Sequence, residues 1–255
     1  MDDSVNQPRL FMSVGYVASG KSTVAEELAY KTGAWLISTD DIRKELFTEC
    51  IDYTGILDEP SPAKIISDWI ESKDKDLIDF QHLLNPILKC EDEAYRKIVN
   101  KYEHKIPEQK KVVYNTAFDR LDTYISEDSD VIFDATFSKK GMRQRAYETA
   151  IKNGLDKVYI IQVICDADIV KKRLENRVNG KQSTTSNAKQ LEIFDIIKKE
   201  FDSSHIESDN PLDLDISRIV YDTGTQEIMT YGFEDKTTEM IRTDVLNPLT
   251  EKYKN

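Results

Sequence analysis

The sequence predicts an α/β protein: a five-stranded parallel sheet with helices on both faces. Three observations carry this reading. Short apolar runs alternate with segments of helical period, beginning with Leu10–Val14 and continuing with Val24, Leu28 and Ala29. The later runs Val131–Phe133 and Val158–Cys165 are apolar throughout, the pattern of strands covered on both faces. Glycine stands where helical patterns end, at Gly33 and Gly154.

Taken in order, Leu10–Val14 is the first strand and runs into a helix that Gly33 closes. Ala34–Ser38 is the second strand, completing a right-handed β-α-β unit. Residues 48–108 change rhythm. They are helical in pattern, punctuated by Pro60, Pro62, Pro86 and Pro107, and read as an inserted helical lobe that is a candidate for acceptor binding. The core resumes with a helix carrying Val113, Ala117, Leu121 and Tyr124, then the strand Val131–Phe133 ending in Asp134. A helix over Gly141–Asn153 follows, then the strand Val158–Cys165. Helices at Asp168–Val178 and Lys189–Phe201 flank a polar connection, Asn179–Ser186, expected to move. Ile216–Tyr221 is the fifth strand. The tail Asp235–Tyr253 is weakly amphipathic, and Pro248 is expected to interrupt it. No repeat of 20 to 50 residues is visible.

Composition narrows the function classes. The chain has 255 residues, with 47 acidic against 35 basic side chains and a formal net charge of −12. At 39% hydrophobic and 32% charged it can bury a core, which excludes wholesale disorder, a collagen-like rod and a membrane bundle. The longest apolar run, Val158–Cys165, is too short to span a bilayer. The opening Met1–Pro8 is acidic and polar, unlike a secretion signal, so a cytoplasmic protein without membrane association is expected. Cys50, Cys90 and Cys165 lack the pair spacing of a zinc site or a disulfide frame.

Chemistry concentrates at the ends of the strands. Gly15-Tyr16-Val17-Ala18-Ser19-Gly20-Lys21-Ser22-Thr23 satisfies G-x-x-x-x-G-K-[ST] between an apolar strand and an amphipathic helix, which is the phosphate-binding P-loop, or Walker A, pattern. Gly15 and Gly20 let the backbone curl so that amides around Ala18, Ser19 and the helix start at Lys21, Ser22 and Thr23 face a polyanion. Lys21 reaches the outer phosphates and Ser22 offers a hydroxyl to magnesium. Asp134, at the end of the third strand, is the second magnesium candidate.

Ser38–Lys44 brings Asp40 and Arg43 to the same edge of the sheet, three residues apart. Asp40 would hold an acceptor hydroxyl while Arg43 orients it or neutralises phosphate charge; the alternative is a helix cap with an i,i+3 ion pair. Residues 168–187 form a lid region in which Arg173 and Arg177, spaced i,i+4, would close over the transferring phosphoryl group. Such arginines are worth about 10³ to 10⁵ in rate. The alternative for them is a solvated helix face pairing with Glu175. His82, His104 and His205 are isolated and read as structural or surface residues; Trp69, Phe80 and Tyr95 read as lobe core.

These pieces together resemble the P-loop kinases related to polynucleotide 5′-hydroxyl kinase and zeta toxins, including the bacterial ATP-binding proteins grouped as predicted kinases. The resemblance rests on Gly15–Thr23, Ser38–Lys44, Val131–Phe137 with Arg143, Arg173–Arg177, Asn187–Phe201 and Val220–Thr223. It implies the P-loop NTPase fold with strand order 2-3-1-4-5, and ATP and magnesium as cofactors. By similarity, Asp40 receives the hydroxyl proton and Arg43 assists. The expected activity is transfer of the γ-phosphoryl of ATP to the hydroxyl of a small molecule. Two alternatives stay open: a polynucleotide 5′ end as acceptor, to which an acidic chain is poorly suited except at a locally basic cleft, and a nucleotide-gated ATPase or interaction module whose lobe binds a protein.

Overall fold

The computed structural model describes residues 7–48, 106–178, 194, 197–201, 206, 209, 211 and 214–253. The chain divides into two compact units, Met1–Asp40 with Ala117–Asn255, and Asp41–Thr116. In chain order the elements are β1 (Leu10–Gly15), α1 (Lys21–Thr32), β2 (Trp35–Ser38), α2 (Thr39–Thr48), α3 (Ile106–Ser126), β3 (Val131–Asp134), α4 (Lys140–Lys152), β4 (Lys157–Ile164), α5 (Ala167–Val178), β5 (Asp215–Asp222), β6 (Ile228–Gly232), α6 (Lys236–Met240), a π-helical stretch (Ile241–Leu246) and α7 (Asn247–Tyr253).

The first unit is built on one sheet of order β2-β3-β1-β4-β5-β6. β1 to β5 are parallel and take the order expected of them; β1, β3 and β4 are apolar runs that need cover on both faces. The expectation of five strands is corrected to six: β6 turns back antiparallel to β5. The reversal is held by Asp222, whose Oδ1 accepts the N–H of Gly224 at 2.7 Å and of Thr225 at 3.3 Å. β6 is an edge strand with Met229 and Tyr231 exposed, so burial never imposed an apolar pattern on it.

One face of the sheet is covered by α1 and the C-terminal helices. Val24, Ala25 and Leu28 of α1 join Phe11, Ile132, Ile161, Ile219, Ile241, Val245, Leu246 and Leu249 in one buried cluster. Burying each Val, Leu, Ile or Phe side chain among them contributes about 1.5–3 kcal/mol of hydrophobic free energy. Here the expectation for the tail is also corrected, since Pro248 does not break the helix. Proline has no N–H to donate and its ring crowds the carbonyl four residues earlier. The preceding turns widen to π geometry, with the Asn247 N–H bonded to the Arg242 carbonyl five residues back, and the helix passes through the proline.

In the second unit the described residues are the end of α2 and the start of α3, where Pro107 sits in the first turn and its missing N–H costs nothing. The expected lobe, 48–108, falls almost wholly outside the described residues, with Cys50, Trp69, Phe80, His82, Cys90, Tyr95 and His104; so do residues 179–187 of the expected lid, residues 188–193 and His205. Cys165 is buried, as a small core side chain. Among the described residues no helix is long and apolar enough to cross a membrane.

Candidate functional site

Parallel register sets the site's floor. Ser13 of β1 lies level with Asp134 of β3, which lies level with Ser38 of β2. The glycine-bracketed loop leaves β1 two residues beyond Ser13, and α2 begins at Thr39, directly after Ser38. Three C-terminal strand ends therefore deliver the loop, Asp134 and Asp40 to one edge, where open α/β sheets bind ligands.

The loop is tightly built. Gly15 passes so close to Val163 that a Cβ there would overlap its carbonyl oxygen, which is why only glycine fits. Gly20, at φ +105, supplies the left-handed turn into α1. Ser19 closes the loop on itself, its hydroxyl donating to the Tyr16 carbonyl at 2.9 Å. The Tyr16 ring stacks edge-on against Phe194 and Phe201, with centroids 5.7 and 5.1 Å away. The segment carrying these two aromatics also meets the loop after β3, where the Ser138 hydroxyl donates to Glu200.

Asp134 is buried, and Ser22 Oγ donates to its Oδ2 at 2.7 Å. Its other oxygen, Oδ1, has no hydrogen-bond partner among the described residues. Burial pushes the Asp134 carboxyl up from its ordinary range; Lys21 and the Ser22 hydroxyl oppose that push, and the charge of Asp40 adds to it. A buried, orphaned carboxylate oxygen paired through its twin to a P-loop hydroxyl is the donor set a hard cation needs, so the residues fit magnesium. Thr39 Oγ1 donates to the Asp134 carbonyl at 3.4 Å, tying the start of α2 to the end of β3. Asp40 follows in the first turn of α2, half-buried.

The structure thus brings together Gly15, Ala18, Ser19, Gly20, Lys21, Ser22, Thr23, Asp134 and Asp40. Arg43 lies one turn further along α2, in the second unit, and Arg177 on the last turn of α5 with its side chain outside the described ones. Arg173 Nη1 donates to the carbonyls of Ala18 at 3.0 Å and Ser19 at 3.2 Å, on the loop backbone. Sequence reasoning gave Thr223 no role, yet its hydroxyl donates to the Ser19 carbonyl at 2.8 Å. The sequence signals were its place just after the fifth strand, at the ligand-binding edge, and its position at the end of the Val220–Thr223 segment of the resemblance.

Beside the loop, a cavity of about 480 Å³ opens between the ends of β4 and β5, lined by Tyr16, Cys165, Ile169, Phe194 and Gly224 among others.

A parallel sheet of this order, with the loop turning into α1 and an acid on the adjacent strand, defines a P-loop protein of the kinase-like class. The chain belongs to the family described as AAA domain, whose model matches residues 10–196. Among solved structures it is similar to a kinase-like protein from Chloroflexus aurantiacus J-10-fl, with 12% identity, 96% of each chain covered and a TM-score of 0.51. It is similar also to the structure from the PezAT chromosomal toxin-antitoxin system of Streptococcus pneumoniae, with 10% identity, 97% of this chain and 86% of that one covered, and a TM-score of 0.51. At these identities the likeness concerns the fold. No curated protein matches the sequence.

Proposed function

We propose that the protein is an ATP-dependent phosphotransferase that moves the γ-phosphoryl group to a hydroxyl of a small-molecule acceptor. The observation that carries this reading is the Ser22–Asp134 pair at 2.7 Å with Asp134 Oδ1 left over, set between the P-loop and Asp40. A nucleotide-binding loop alone would fit any NTPase; an acid at the start of α2, beside the metal-type carboxylate, adds a group for the acceptor.

The loop amides and Lys21 bind the β and γ phosphates, and the cavity beside Tyr16 takes the base. Ser22 and Asp134 would hold magnesium, which when bound would offset phosphate charge. Asp40 accepts the proton as the acceptor oxygen bonds to the γ-phosphorus and the bond to the β–γ bridging oxygen breaks, leaving ADP. Arg43 and Arg177 are the side chains proposed to offset charge that develops during transfer.

Incubation with γ-labelled ATP, magnesium and fractions of a metabolite extract tests this. Label should appear on an alkali-stable, phosphatase-sensitive small molecule in the wild type, and Asp40→Asn should abolish that product while ATP still binds. Label released only as inorganic phosphate, whatever acceptor is offered, contradicts it; label on 5′-hydroxyl oligonucleotides with steep salt dependence replaces the acceptor class.

A further inference from the structure

Two side chains from outside the P-loop meet on its outer side, and both are bonded to its carbonyls. Arg173 of α5 donates from Nη1 to Ala18 O and Ser19 O at 3.0 and 3.2 Å. Thr223, the first residue after β5, donates its hydroxyl to Ser19 O at 2.8 Å and its N–H to Ile164 O at 2.9 Å. The two are themselves joined, Arg173 Nη1 to Thr223 Oγ1, at 3.2 Å. The Ser19 carbonyl thus accepts from both.

The geometry of the peptide plane gives this a consequence. In a trans peptide the carbonyl of one residue and the N–H of the next point in opposite directions. Pinning the Ser19 carbonyl outward aims the Gly20 N–H inward, and that N–H has no partner among the described residues. The clamped stretch is one the chain would not keep unaided. Ala18 has φ +58, uncommon for a residue with a Cβ, and Gly20 has φ +105. The Thr223 methyl also stands against Gly20, where an added Cβ would come within 3.4 Å of Cγ2.

We propose that Arg173 and Thr223 are positioning residues for the phosphate-binding loop. They hold its carbonyls so that the Gly20 amide and the start of α1 face the phosphates before nucleotide arrives. The pair acts on phosphate affinity, not on the transfer step. This rests on the nucleotide-binding reading above, and it differs from a lid role for Arg173, which would act on the transferring phosphoryl group.

The test is calorimetric binding of inorganic tripolyphosphate, ADP and ATP to the full chain and to Thr223→Val, Thr223→Ser and Arg173→Ala, with kcat and KM for ATP consumption alongside. Thr223→Val keeps the shape and removes the hydroxyl. It should weaken all three ligands by a common factor of about 10, corresponding to one hydrogen bond, and raise KM with kcat held within about twofold. Thr223→Ser should restore affinity, and Arg173→Ala should weaken the same three ligands at least as much as Thr223→Val. A purely structural role would lower the melting temperature and leave the affinity of the folded protein unchanged. Wild-type affinity in a folded Thr223→Val protein overturns the clamp and leaves the nucleotide reading standing. Intact affinity with a lower kcat in Arg173→Ala also overturns it, in favour of the lid role. Absence of binding to the wild type overturns the nucleotide reading and the clamp with it.

Discussion

Arg143 and Asp209 form a two-point ion pair in the interior: Nε and Nη2 of the guanidinium face Oδ2 and Oδ1 of the carboxylate, and the side chains are 0% and 2% exposed. The same guanidinium donates to the carbonyls of Phe137 at 3.0 Å and Ser138 at 3.4 Å, fixing the loop that follows Asp134. Phe137 in that loop has φ +50, a conformation a bulky residue keeps only when its surroundings impose it. Tyr147 donates to Asp209 at 3.0 Å, and burial together with that carboxylate pushes its hydroxyl well above the ordinary tyrosine range.

Removing one partner strands the other charge in the core. Arg143→Ala should destabilise the fold by about 3–5 kcal/mol. The double change Arg143→Met with Asp209→Leu should cost clearly less than Arg143→Ala alone, because replacing a whole buried pair is often close to neutral. Urea unfolding of the single and double variants measures both; equal losses would contradict the account.

Asp134, proposed to hold magnesium, would link stability to metal. Its carboxyl is held above the ordinary range, chiefly by burial. In the metal-free protein its contribution is therefore complete at pH below the unfolded value and is lost as pH rises through the raised folded value. Magnesium should raise the melting temperature of the wild type, and Asp134→Asn should remove that rise and flatten that part of the pH–stability curve. It should also cut activity by about 10²-fold or more, the scale of several kcal/mol of charge stabilisation. Melting curves against pH, with and without magnesium, check this; an undiminished magnesium response would contradict it.

Asp235 gives the opposite slope. It caps α6, accepting the Thr238 N–H at 3.0 Å, and accepts the Tyr159 hydroxyl at 2.8 Å. Burial alone would raise its carboxyl, but these bonds outweigh it and the net shift is downward. Its contribution is present above the unfolded value and lost as pH falls through the depressed one. Asp235→Ala should cost about 1 kcal/mol at neutral pH, the value of a helix cap, and less in strong acid. Tyr159 is pushed up to about 12, mainly by burial, so the fold also loses its neutral hydroxyl's contribution only between about pH 10 and 12. Acid and alkaline melts of Asp235→Ala and Tyr159→Phe separate the two limbs.

What the sequence revealed and what it hid follow from one distinction. Strands β1, β3 and β4 were legible because they are buried on both faces, and the P-loop because its backbone geometry demands glycine at Gly15 and Gly20. β6 was not, because an exposed edge such as Met229–Tyr231 is under no burial pattern. The tail was misjudged at Pro248 because the sequence does not show that a π turn will absorb it. Residue type does not reveal which way a long side chain points: spacing alone does not show that Arg173 bonds to the carbonyls of Ala18 and Ser19. Arg143 is a charged residue that is wholly buried, which its distant partner Asp209 and the Phe137 and Ser138 carbonyls explain.

The loop from Gly15 to Thr23, with Asp134, is proposed to bind a magnesium–triphosphate. Isothermal titration of the wild type and Lys21→Ala with magnesium and ATP tests it most directly. Binding should be saturable at one site, weaken when magnesium is chelated and fall by at least about 10-fold in Lys21→Ala. Absence of binding to the wild type, or equal affinity in a folded Lys21→Ala protein, would contradict it.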